Sequence, residues 1–195
     1  MDPVEEIVAE RERARGLSDP NVNICFLATV TPEGGATVRA LSLRDIDHRG
    51  FGLLINELSP KWRQLHTGAG FEFLLFWPTV LRQYRVRGPL APMDDDDLER
   101  YWSYKSHGSR LLELYYPTFE PQSTSVPSRQ HLLDGIESMR RKCPSPEDVL
   151  LPKSLKGVYL VPDRIEVWHG EAERLHDRRL YTRKGDGWEV QILVP

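Results

Sequence analysis

A chain of 195 residues is long enough to bury one core without disulfide or metal staples, and nothing in its length calls for two domains. Hydrophobic residues make up 39% and charged residues 28%, a balance that excludes disorder. The formal charge of -3 and a pI near 6.1 exclude the net basic surface with which nucleic-acid binders displace counterions, so any basic patch must be local.

Residues 3–15 carry Val4, Ile7, Val8 and Ala14 among Glu and Arg, a thin apolar stripe that predicts a short surface helix ending at Gly16. Residues 23–30 and 36–46, joined by the turn TPEGG, read as a hairpin, and 50–56 as a third strand. Residues 59–68 place Ser before Pro and end on Gly, the signature of one short helix. Two more strands, 71–77 and 80–90, flank a Pro-containing turn. Residues 93–105 open with four aspartates, which complement a helix N-terminus; four consecutive carboxylates cannot all face one ion on a helix, so a solvated first turn is expected instead of a metal site. A Pro/Ser/Thr-rich loop (116–128), a helix (128–142) and a linker follow. The end returns to strands: 156–162, 163–170, the stretch 173–183 and, after the turn KGDG, the final run.

About eight strands and three or four inserted helices, with no repeat and no long parallel crossovers, predict a mainly β (α+β) fold, an antiparallel or split barrel. No glycine-rich phosphate loop opens a helix, so a nucleotide-like ligand would need side-chain anchors. The two cysteines, Cys25 in an apolar run and Cys143 before a proline, show no disulfide or metal spacing and fit a reducing cytoplasm. No apolar run approaches the ~20 residues that span a bilayer, and the charged N-terminus gives no export signal, so a cytoplasmic location with no membrane or nucleic-acid partner is expected.

The stretch ERLHDRRLYTR sets Arg174, His176 and Arg178 at alternate positions, so a strand there would line three cation-capable groups along one face. Such a row repels itself unless an anion, from an acidic side chain or a ligand, sits against it. Further basic clusters are Arg39 with Arg44, Lys61 with Arg63, Arg82 with Arg85 and Arg87, and Lys105 with Arg110. Composition alone assigns most of these to solvent-facing surfaces. The exception is Lys61, at a helix start whose free N–H groups make a phosphate seat.

The end of the chain, from Leu160 onward, resembles the C-terminal segment of the pyridoxamine 5'-phosphate oxidase family, whose hallmark is a Trp followed six residues later by Arg-Leu-His-Asp-Arg; Trp168 and Arg174 to Arg178 meet that spacing. LATVTPEGGATVRALSLRDIDHRGFGLLIN is similar to the family's first hairpin and third strand, SPKWRQL to its phosphate-contacting helix start, and FWPTVLRQYRVRG to its central strands. The resemblance implies an FMN-binding split β-barrel forming one domain over 1–195, with 157–195 a dimerisation and substrate-binding segment, and a homodimer with FMN at the subunit interface. By position it assigns FMN binding to Arg39, Leu54, Ile55, Lys61, Gln83, Gln122, Ser123, Trp168 and Arg178. Substrate binding falls to Arg44, Tyr101, Lys105, Ser109, Arg174 and His176, the last two flanking the reacting carbon as catalytic residues.

Departures fall mainly on the substrate side. Arg44 stands for a lysine and Lys105 for an arginine, swaps that keep charge but not geometry. Pro60 replaces an arginine that contacts the FMN phosphate, and Leu54 with Ile55 replaces a hydroxyl-bearing pair, leaving backbone contacts there. The implied activity is oxidation of pyridoxamine or pyridoxine 5'-phosphate to pyridoxal 5'-phosphate, with O2 reduced to H2O2. The family's oxidases of phenazine biosynthesis supply the alternative, a reduced tricyclic aromatic acid, for which Tyr115, Tyr116 and Phe119 would line a larger pocket. A flavin- or pyridoxal-phosphate-binding carrier without catalysis is the second alternative.

Overall fold

The computed structural model describes residues 2–195. In chain order the elements are α1 (Pro3–Gly16), β1 (Ile24–Val30), β2 (Ala36–Ser42), β3 (Ile46–Asp47), β4 (Gly50–Asn56), α2 (Pro60–Leu65), β5 (Phe71–Trp77), β6 (Arg82–Arg87) and β7 (Leu90–Pro92). There follow α3 (Asp95–Ser103), α4 (His107–Thr118), α5 (Arg129–Lys142), a 3-10 turn (Pro146–Asp148), β8 (Leu155–Leu160), β9 (Arg164–His169), β10 (Asp177–Lys184) and β11 (Gly187–Leu193). The chain divides into two compact units. One comprises residues 2–53, 69–91 and 158–195, the other 54–68 and 92–157.

The first unit holds a seven-stranded sheet in the order β11-β10-β9-β6-β5-β1-β2, antiparallel at every junction. Period-two patterning builds it. Leu27, Phe73, Leu75, Trp77, Tyr84, Val86, Ile165 and Val167 point to one face and are fully buried, while Glu72, Gln83, Arg85, Trp168 and Arg178 occupy the other. A second sheet runs β3-β4-β8-β7. Its strand β4 is buried nearly throughout, as an unbroken apolar run requires.

In the second unit α3, α4 and α5 bring Trp102, Leu111 and Met139 together with Val149 and Leu155. The four aspartates form a cap and first turn: Asp94 Oδ1 accepts from the Asp97 N–H at 2.8 Å, and Asp97 binds Arg100. Helix α4 corrects the sequence expectation, which began a loop at residue 116 and assigned no separate helix before it. Gly108 and Pro117 obscure its ends, yet Ser106 caps it and Pro117 sits in its last turn. Gly135 of α5 admits the Tyr115 ring, since a Cβ there would lie 2.5 Å from Tyr115 Cε2. Tyr115 is buried and stacks at 5.1 Å on Phe119, which remains 45% exposed.

Helix α1 is more than a surface helix. Arg11 is buried and donates to Val22 O, Arg44 O and Asn23 Oδ1. Glu6 accepts from Arg179 Nη1 and Nη2, each at 3.2 Å, and lies 2.9 Å from His169 Nε2. Burial pushes the Glu6 carboxyl up, but the hydrogen bond to His169 and the Arg179 charge outweigh it and hold the group below the usual carboxylate range. A depressed folded value gives stability that is present above the unfolded pKa and lost as pH falls through the folded one. Glu6→Gln should therefore cost about 1–3 kcal/mol in urea unfolding at neutral pH, with the gap to wild type closing in acid; a gap unchanged in acid would contradict this clamp.

Candidate active site

Three residues that the resemblance assigns to the cofactor meet on the open face of the seven-stranded sheet. Gln83 on β6 pairs in register with Trp168 on β9, and Trp168 with Arg178 on β10, so the three side chains stand in one row across adjacent strands. Gly170 leaves room for the indole, because a Cβ there would lie 2.7 Å from Trp168 Cη2. One row along, Arg85 pairs with Glu166. The largely buried Glu166 carboxylate binds Arg178 Nη2 at 2.8 Å and Arg85 Nη1 at 3.0 Å, and Arg85 continues to Glu72 at 2.8 Å. For Arg178 the anion demanded by its charge is thus Glu166, with Val194 O accepting a second bond at 2.9 Å.

The expected strand row of three cations is not formed. β10 starts at Asp177, so only Arg178 lies on it, and Arg174 and His176 belong to the preceding loop. Glu171 organises that loop: its O accepts from Arg174 N at 3.2 Å, and its N–H donates to His176 Nδ1 at 3.0 Å. The neutral His176 ring assigned from this bond carries its proton on Nε2, leaving a donor for another group. The ring sits 4.7 Å from that of Trp168. Arg174 is exposed and adopts φ 64°, a left-handed backbone that costs a non-glycine residue about 1 kcal/mol.

Arg39 lies in register with Leu27 and Phe73, on the buried face opposite the Gln83–Trp168–Arg178 row. Its guanidinium donates to Leu27 O at 3.1 Å and to the hydroxyls of Thr29 and Thr37, and burial pulls its pKa down. The Arg44 backbone accepts from Arg11 Nη1 at 2.8 Å and pairs with Gly52.

The second unit gathers the remaining candidates. Lys61 Nζ donates to Gln122 Oε1 at 2.5 Å, joining two predicted cofactor residues across 61 positions of sequence. Gln122 and Ser123 border a cavity of about 420 Å³ with Pro60 and Arg63, and Ser123 takes φ 70° to turn the chain there. The backbone contributes less to a phosphate seat than the sequence promised. α2 is six residues long, Pro60 has no N–H, and the Trp62 N–H already faces Ser59 Oγ, so the charge must come from side chains. Leu54 packs, partly buried, against the core of the second unit, and Ile55 is buried. Tyr101 is buried beneath Arg100, whose guanidinium lies 4.2 Å from the ring centroid. Ser109 bonds Ser106 Oγ at 3.0 Å. Lys105 forms a 2.9 Å ion pair with Glu113, which also accepts from Asn56 Nδ2 at 3.0 Å. Sequence reasoning missed Glu113 and Glu166; a carboxylate eight residues from Lys105 carries no signal until α4 is recognised as a helix.

A family model described as pyridoxamine 5'-phosphate oxidase matches residues 12–143, and one described as pyridoxine 5'-phosphate oxidase C-terminal dimerisation region matches 156–195. The chain belongs to the pyridoxamine 5'-phosphate oxidase family. It is an oxidoreductase of a family of FMN-dependent oxidases. A pyridoxine/pyridoxamine 5'-phosphate oxidase of Myxococcus xanthus is 30% identical over 194 residues, covering 100% of this chain and 92% of that protein. One of Gluconobacter oxydans is 32% identical over 182 residues, covering 91% and 87%. The fold is similar to PhzG of Burkholderia lata, solved in complex with tetrahydrophenazine-1-carboxylic acid, with TM-score 0.85, 23% identity and coverage of 100% and 93%. It is also similar to a pyridoxamine 5'-phosphate oxidase-related, FMN-binding protein of Nostoc punctiforme, with TM-score 0.75, 21% identity and coverage of 100% and 99%. These neighbours make the fold an FMN-binding split barrel, as the sequence predicts. Within the matched dimerisation region the edge strand β11 and its extension expose Val190, Ile192 and Val194 on one face, the last at 86% exposure. No helix of the described residues is long and apolar enough to cross a membrane.

Arg178→Ala should leave Glu166 with one of its two cations and cost about 1–3 kcal/mol in urea unfolding, whereas an unchanged midpoint would mean that the Glu166 bridge does not hold the β9–β10 junction.

Proposed function

We propose that this chain is an FMN-dependent oxidase acting as a homodimer, with FMN at the subunit interface, and that residues 1–195 form one domain whose 157–195 segment serves dimerisation and substrate binding. The observation that carries the cofactor assignment is the Lys61–Gln122 hydrogen bond beside the cavity bordered by Arg63 and Ser123. Lys61, Arg63 and the Ser123 hydroxyl suit a phosphate monoester, and Glu57, which also borders the cavity, has its carboxylate paired with Lys156 at 3.2 Å. Gln83, Trp168 and Arg178 offer an amide, an aromatic plane and a fixed cation in one row, which suits a polar aromatic ring system. Arg39, on the opposite face of the sheet with its guanidinium donating to Leu27 O and to the Thr29 and Thr37 hydroxyls, and the backbone of Leu54 and Ile55 are assigned to the cofactor by the family resemblance alone. The exposed apolar row of β11 supports the homodimer.

When bound, FMN supplies the two-electron acceptor and the route by which O2 becomes H2O2. The protein's part is position and charge. Arg174, on its strained loop, presents a guanidinium to an anionic substrate, and His176 donates from Nε2 or exchanges a proton at the reacting group. Tyr101, Lys105, Ser109 and Arg44 hold the rest of a small anionic aromatic substrate.

Pyridoxine or pyridoxamine 5'-phosphate is the first substrate reading, supported by the names of the relatives and by Tyr101, Ser109, Arg174 and His176. A reduced phenazine-type aromatic acid is the second, and one observation favours it: Lys105 is already bound to Glu113. Lys61→Ala should weaken FMN binding by roughly 1–3 kcal/mol in a fluorescence titration, and an unaltered dissociation constant would put the phosphate elsewhere. In FMN-loaded protein, anaerobic addition of substrate should bleach the flavin band and air should restore it with release of H2O2. Arg174→Ala should abolish the bleaching with FMN still bound. A wild-type flavin that stays oxidised with both substrate types would leave a carrier.

A further inference from the structure

A groove of about 840 Å³ opens in the first unit, against about 420 Å³ for the cavity beside Arg63 and Ser123, and no residue of the candidate active site borders it. That volume suits a small organic molecule. Helix α1 forms one wall with Val4 and Val8, and the link from β8 to β9 forms the other with Val161 and Pro162. Ile46 on β3 and Trp188 on β11 add apolar surface.

The walls are fixed by bonds within the chain. Arg11 and Glu6 tie α1 down, the first through Val22 O and Arg44 O and the second through Arg179. On the other side, Val161 N donates to Pro89 O at 2.9 Å, Asp163 N to Arg87 O at 3.0 Å, and Arg183 N to Asp163 O at 2.8 Å. Gly50 and Gly88 let the link approach this closely, since a Cβ at Gly50 would strike Leu160 O and one at Gly88 would strike Val161 O. Pro89 and Pro162 leave no N–H unpaired at the groove surface. A groove built in this way pays little ordering entropy when a ligand enters.

Charge selects the class of ligand. Asp2 and Glu5 on α1 and Asp163 on the opposite wall have no cation partner among the described residues. Asp47 is already held by Arg49 at 2.8 Å. The one guanidinium on the lining, that of Arg183, lies 5.1 Å from the centroid of the Trp188 ring. The N-terminus of α1 adds about half a positive charge, which the Asp2 and Glu5 carboxylates together exceed. An anion therefore meets a repulsive rim and an ammonium an attractive one.

We propose that this groove is a second ligand site of the chain and takes an organic cation, an apolar or aromatic body bearing an amine. FMN and the anionic aromatic substrates proposed for the active site are the ligands that its rim rejects. An ammonium and a carboxylate on the same ring differ by two charges in the field of three carboxylates and one guanidinium, a difference of about tenfold or more in affinity at the effective dielectric of a protein surface.

The test is calorimetric titration of the full chain in excess FMN with 1-naphthylmethylamine and with 1-naphthaleneacetate. It is run at about pH 8, because a protonated His48 on the lining would weaken the negative field. The amine should bind once per chain and about tenfold tighter than the acid. Ala9→Trp, at an exposed α1 position on the lining, should fill the groove and abolish amine binding. Glu5→Gln/Asp163→Asn, which alters exposed side chains only, should narrow the amine-to-acid ratio about fivefold and carries the test should the bulky variant fail to fold. Equal binding of amine and acid, amine binding that survives Ala9→Trp, or a ratio unchanged in the charge variant would each overturn the proposal. Absence of amine binding overturns it too, and if Ala9→Trp then converts a dimer to a monomer in sedimentation, a second copy of the chain covers the groove instead.

Discussion

The register of three antiparallel strands is the constraint on which the candidate site depends. β6 is far in sequence from the consecutive strands β9 and β10, and only their pairing puts Gln83, Trp168 and Arg178 side by side. A slip of one residue would move all three to the buried face, among Tyr84, Val86 and Val167. Burial of those apolar side chains fixes the phase. The Glu166 carboxylate then holds two cations, Arg85 and Arg178, that would otherwise repel across the sheet. Structural charge compensation and the residues proposed to face the ligand thus share the same strands.

The second unit solves a similar problem with helices. α3, α4 and α5 bury Trp102, Leu111 and Met139, and the rim of that core carries the polar network. Lys61 donates to the Gln122 amide, and Lys105 pairs with the Glu113 carboxylate.

The strand and helix pattern was legible because alternation and caps are local signals. Ser59, Asp94 and Ser128 each cap the helix expected after them, and β5 spans the predicted 71–77. Two local expectations failed for physical reasons. Alternation at Arg174, His176 and Arg178 imitates a strand, but backbone bonds to Glu171 and a left-handed Arg174 hold the first two in a loop. Gly108 and Pro117 hid α4, and with it Glu113 and Tyr116. Motif matching marks positions where a ligand binds in relatives; it is blind to a carboxylate elsewhere in the chain that already occupies one of those positions, as Glu113 does at Lys105 and Glu166 at Arg178.

The central claim, that this fold holds FMN through side-chain anchors at Lys61 and Gln122, is tested most directly by a crystal structure of the protein grown with FMN. The account predicts the flavin phosphate within hydrogen-bonding distance of Lys61 Nζ. A flavin whose phosphate lies away from Lys61, or a protein that crystallises without flavin at saturating FMN, would contradict it.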